Sequence, residues 1–99
     1  MKSSYAVLWS SGQALGSGRL EPHADRFEVY GRDERFSILF SDLADASIAR
    51  GHADRLRGLA VLLLQRRDGA PVRIASLEGP GVLHELAQHV ERAGFTVAA

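Results

Sequence analysis

The stretch from Pro80 to Ala93 constrains the fold more than any other part of the chain. Its apolar residues are Val82, Leu83, Leu86, Ala87, Val90 and Ala93. At helical spacing they share one face, with His84, Glu85, Gln88, Glu91 and Arg92 opposite. Pro80 suits a first turn, where its missing N–H has no partner to lose. Gly94 suits the stop, because a left-handed cap costs glycine almost nothing. No other segment reads convincingly as helix, and everything before it reads as strand and turn. An amphipathic helix that follows only strands must bury its apolar face on a sheet.

The strands announce themselves by alternation. Tyr5, Val7 and Trp9 share one face of the first strand, Tyr5 to Ser10. Ser11 to Gly18, with three glycines, reads as a flexible connection. A short strand at Arg19 to Glu21 stops at Pro22. Phe27 and Val29 alternate with Arg26, Glu28 and Tyr30, and the turn Gly31–Glu34 leads to Phe36, Ile38 and Phe40 on a second half-buried strand. Asp42 begins a turn and Ala46 to Arg50 resumes as a weaker strand around Ile48. Gly51 to Gly58 is a polar loop, and Leu59 to Arg67 is a strand apolar on both faces over its first six residues. Asp68-Gly69 is a hairpin signal, and Val72 to Leu77 closes the β part. At 99 residues the chain makes one domain, residues 1–99. The reading is a mainly β fold: a small antiparallel barrel or sandwich of about seven strands, capped by the C-terminal helix.

This order resembles the pleckstrin-homology-like (PH-like) family from Tyr5 to Ala93. The residues that carry the likeness are the Phe36-Ser37-Ile38-Leu39-Phe40-Ser41-Asp42-Leu43 strand and turn and the terminal helix. The resemblance implies a scaffold for binding peptides, proteins or phosphoinositide headgroups, rarely used for catalysis.

No catalytic constellation emerges from the residues themselves. His84-Glu85-Leu86-Ala87-Gln88-His89 nearly spells a zinc-protease helix, but the second histidine is five residues on. That turns it about 140° around the helix, so the rings cannot converge on one ion. His-Ala-Asp-Arg occurs at His23–Arg26 and at His52–Arg55, and only if the fold joined these loops would His23, Asp25, His52 and Asp54 suit a metal. Gly12, Gly16 and Gly18 match neither phosphate-cradle spacing, and there is no nucleophile elbow. The expectation is a non-enzyme with no cofactor and no metal.

Acids and bases balance at twelve each, so no long-range field favours nucleic acid or an anionic membrane. Eleven of the bases are arginine, which with abundant alanine and glycine resembles a high-GC bacterial coding bias. The start at Met1-Lys2-Ser3 lacks the apolar core of a signal peptide, no run is long enough to span a bilayer, and cysteine is absent. These point to a soluble, cytoplasmic protein.

Two binding surfaces are candidates. Arg32 and Arg35 flank one hairpin and Arg66 and Arg67 precede another. Together they could hold an anion such as a lipid headgroup, although Asp33, Glu34 and Asp68 lie in the same turns. Trp9 could anchor a peptide if its strand is an edge. The run Leu59–Leu64 has two apolar rows, of which a barrel core takes one. The other, through Val61 or through Leu62 and Leu64, must face the helix, a second subunit or water. The expected function is a protein-interaction or self-assembly module, with itself or another protein as partner. The alternative is a binder of anionic lipid headgroups or another small anion.

Overall fold

The computed structural model describes residues 4–98. Eight strands form one curled sheet, β1 (Tyr5–Ser11), β2 (Ala14–Pro22), β3 (Arg26–Tyr30), β4 (Arg35–Leu39), β5 (Leu43–Ala49), β6 (Val61–Arg66), β7 (Val72–Ser76) and β8 (Val97–Ala98). Their spatial order is β4-β3-β2-β1-β7-β6-β5-β8, antiparallel except for the parallel β5–β8 pair. A single 3₁₀ turn at Phe40–Asp42 links β4 to β5, and one helix, α1 (Pro80–Arg92), precedes β8. The mainly β architecture with a terminal helix follows the alternation and the amphipathic pattern. The strand count is eight rather than seven, because β8 is two residues long and too short to alternate. No helix among the described residues is long and apolar enough to cross a membrane. The reading of the Met1-Lys2-Ser3 start falls outside the described residues.

The concave face of the sheet holds the core. Tyr5, Val7 and Trp9 point into it from β1, Phe27 and Val29 from β3, Leu62 and Leu64 from β6, and Val72 and Ile74 from β7. Helix α1 lays Leu83, Leu86, Ala87 and Val90 onto this interior, against β5, β6 and β7. It ends as its sequence dictates: Gly94 has φ of 106°, and its N–H donates to the Glu91 carbonyl at 3.0 Å. Two edge-to-face ring pairs knit the other half of the interior, Phe27 with Phe40 at 4.9 Å and Trp9 with Phe36 at 5.0 Å.

The glycine-rich segment is not a flexible connection. Gly12 and Gln13 form a tight turn and β2 begins at Ala14, so Gly16 and Gly18 lie within a paired strand. Glycine is required there by contact, not by mobility. A Cβ on Gly16 would run into the Trp9 indole, and one on Gly18 into the Tyr30 carbonyl. The absent side chains let the indole and β3 close onto β2.

Glu28 points away from the core by alternation, yet it is only 5% exposed. Its Oε1 accepts from Ser37 Oγ at 2.6 Å and from Arg26 Nε at 2.7 Å, and Arg35 Nε stands 3.6 Å from Oε2. The Ser37 hydrogen bond, then that of Arg26, outweigh the burial penalty and bring the carboxyl from 4.5 to about 2.

Two outcomes follow. Leu86→Ala should lower unfolding free energy by ~2–5 kcal/mol in chemical denaturation, as buried leucine truncations do. A change near zero would mean that α1 is not packed as described. Glu28 stabilises the fold fully above pH 4.5, and that contribution fades as pH falls towards about 2, where the folded state also binds the proton. Glu28→Gln should therefore flatten the pH dependence of stability within that window; superimposable acid titrations of the two proteins would count against the network.

Candidate functional site

The four residues expected to meet a partner lie inside the molecule. Trp9 is 2% exposed and Val61, Leu62 and Leu64 are fully buried. β1 is no edge: it runs between β2 and β7, so Trp9 packs inward on Gly16 and Phe36. On β6 the even row, Leu62 and Leu64, enters the main core. Val61 faces the other way, where it joins Leu8 and Ala75 in a second cluster. Val61 is enclosed within the chain itself. The connection from Arg50 to Ala60 brings Leu56 onto it, with Ala49 and Leu63 alongside. The correction has a simple cause: a long β5–β6 connection folds back over its own sheet.

Of the four arginines expected to hold an anion, two are already occupied. The β1–β2, β3–β4 and β6–β7 turns lie at the same end of the sheet by strand order and direction. Arg66 donates to the Ala70 carbonyl at 3.0 Å and to Ser11 Oγ at 3.2 Å, tying two of these turns together. Arg35 stacks over the Tyr30 ring at 5.2 Å and leans towards Glu28. Arg32 lines a shallow recess with Arg19, Ser17, Glu21 and Tyr30. Arg67 is exposed beside Asp68.

The histidines and acids considered for a metal do not converge among the described residues. His23 Nε2 lies 2.7 Å from Glu21, and Asp54 faces Arg73 at 3.6 Å. Among the described residues no three such side chains converge. A groove of about 810 Å³ between α1 and the start of the sheet is lined by Glu21, His23, Glu78, Glu85 and His89, among others. Its acids serve the fold. Tyr5 O–H donates to Glu85 at 2.9 Å, and the Ala6 N–H donates to Glu78 at 2.6 Å. Burial, then Glu85, raises the Tyr5 pKa, while burial, then Arg92, lowers that of His89.

A second groove, of about 560 Å³, has a different chemistry. It opens between the Arg50–Ala60 connection and the turn from β7 into α1, over Leu59, Ala60, Leu77, Pro80 and Leu83. Leu59 is 38% and Leu77 51% exposed. The connection is a small hairpin: Leu56 and Leu59 exchange backbone hydrogen bonds at 3.1 and 2.9 Å around Arg57 and Gly58, whose φ angles are 49° and 78°. Those angles are those of a type I′ turn. Leu59 is thereby held just outside β6 and Leu77 just outside β7. Alternation read both as strand residues and missed the groove. The available signal was their position against Gly58 and Glu78-Gly79, where an apolar side chain has no strand to bury it. Arg50 and Arg55 are part of its lining, and among the described residues no acid lines the groove.

No family model matches the chain, and no curated protein does. Its fold is similar to that in a crystal structure of the C-terminal domain of an unknown protein from Leishmania infantum. The TM-score is 0.67 over 89% of this chain and 81% of that one. Identity is 15%, so the likeness is one of fold alone.

Proposed function

We propose that the chain is a PH-like, non-catalytic interaction module that docks another protein at the Leu59–Leu77 groove, in the cytoplasm. The strand order β4-β3-β2-β1-β7-β6-β5 with a helix after β7 supports the PH-like reading. The observation that carries the function is the location of the exposed leucines. Among the described residues the large exposed apolar side chains are Leu15, Leu39, Leu59 and Leu77, and two of these four line the same groove. Grouped apolar exposure marks interaction surfaces, whereas scattered exposure does not. With Val61, Leu62 and Leu64 enclosed, the main reason for a strand-mediated homo-oligomer falls away, and a different protein is the better partner.

Magnitudes limit what the leucines can do alone. Fully covering a leucine is worth about 1.5–3 kcal/mol, and both are already partly covered. A micromolar complex needs about 8 kcal/mol. Contacts beyond the two leucines are therefore part of the site.

The test is selection from a random-peptide display library on the immobilised protein. Wild type should enrich binders, and Leu59→Asp with Leu77→Asp, whose side chains lie outside the strands, should stay folded and lose the enrichment. Equal enrichment on both proteins would overturn the groove. The anionic alternative has its own readout: at physiological salt the protein should not co-sediment with phosphoinositide-containing liposomes, because its charges balance and screening is strong. Co-sedimentation abolished by Arg32→Glu with Arg67→Glu would replace the groove with the turn end.

A further inference from the structure

We propose that the segment docked in this groove is acidic as well as apolar. A bulky apolar side chain enters between Leu59 and Leu77, and a carboxylate beside it pairs with Arg50 and Arg55. This rests on the groove being the docking surface, and adds the chemistry of the partner.

The local charge is one-sided although the whole chain is neutral. Arg50 and Arg55 both line the groove, and among the described residues no aspartate or glutamate does. The acids nearest in sequence are turned elsewhere. Asp54 faces Arg73, and Glu78 accepts the Ala6 N–H. Arg50 is exposed and has no ion-pair partner among the described residues. Arg55 is placed differently: its Nε donates to the Arg50 carbonyl at 2.8 Å and its Nη1 to the Gly58 carbonyl at 3.0 Å. Those bonds fix the guanidinium of this exposed side chain against the hairpin and leave Nη2 without a hydrogen-bond partner among the described residues. A guanidinium held this way loses little freedom on meeting a carboxylate, and its fork matches that group.

The shape admits a peptide segment. The groove is a half-open trough between a hairpin and a turn, with both exposed leucines on its walls. It can cover one or two side chains of a segment lying across it.

The probes are short glycine–serine peptides carrying two leucines flanked by glutamates, the same peptide with lysine for glutamate, and the same with serine for leucine. Each is titrated into the ¹⁵N-labelled protein at low ionic strength, and amide shifts are followed. The acidic peptide should perturb amides of residues 50, 55, 58–60, 76–79 and 83, and the other two peptides should bind about tenfold more weakly or not at all. Arg50→Glu should weaken the acidic peptide about tenfold at unchanged melting temperature, since its side chain is exposed and makes no hydrogen bond or ion pair among the described residues. Arg55→Glu should weaken it too, but it also cuts the hairpin clasp, so Arg50→Glu is decisive.

Glutamate and lysine peptides of equal affinity, both lost in Leu77→Asp, would overturn the acidic partner and leave the groove standing. Shifts centred on Arg32 and Arg67 would overturn it by moving the acidic site to the other end. Absence of any perturbation at the groove by any probe, together with failed display selection, would overturn both readings.

Discussion

The contact on which the rest of the structure depends is the burial of Leu83, Leu86, Ala87 and Val90 of α1 against β5, β6 and β7. A curled sheet of this size encloses its concave face only in part, and the inner rows of β6 and β7 would otherwise meet water. Leu62, Leu64, Val72 and Ile74 are fully buried in the same cluster as the helix face. Apolar burial of this kind is the dominant favourable term in folding. The helix also carries the chain across to the far edge, where β8 pairs with β5.

Curling protects one face of a sheet and exposes the other, so the outer row of β1, β6 and β7 is a separate problem. Leu8, Val61 and Ala75 form a continuous apolar patch there, and the Arg50–Ala60 connection covers it with Leu56. The cover must be held in place, and the means are visible. Arg55 bonds to two carbonyls of its own connection, Leu56 and Leu59 close a two-residue turn, and Asp54 reaches Arg73 on β7. The exposed position of Leu59 follows from this arrangement. Once Leu56 is committed to the sheet, the tight turn brings Leu59 back beside it, facing the β7–α1 turn. The groove is thus a consequence of covering the outer row.

The sequence made some of this legible and hid the rest for physical reasons. The helix and the alternating strands were readable because each buries one face, and periodicity reports a single face directly. β6 is apolar on both faces, and which row is internal depends on a distant loop, so no local pattern could decide it. Gly16 and Gly18 misled for a related reason. Their composition signals flexibility, but their role is to admit the Trp9 ring and the Tyr30 backbone, contacts made only in the folded sheet. Glu28 looked like an ordinary outward residue, and its partners Arg26, Ser37 and Arg35 come together only when β3 pairs with β4. Arginine composition marked these turns as basic without showing that Arg66 and Arg35 are used internally.

The same organisation separates the fold from the proposed docking surface. The backbones of Leu59 and Leu77 are pinned, the first to Leu56 and the second by its N–H to the Ala6 carbonyl at 2.9 Å. Their side chains stand clear of the core, so both can be changed to polar residues without opening a cavity, unlike Val61 or Leu62 a few residues away. A pinned backbone also means that the groove walls need not be ordered when a segment docks. Ordering flexible side chains and loops is a large part of what association costs, and here the loop share falls on folding instead. A groove with two leucines and two arginines can then act as an interaction site although its apolar contacts alone are too weak.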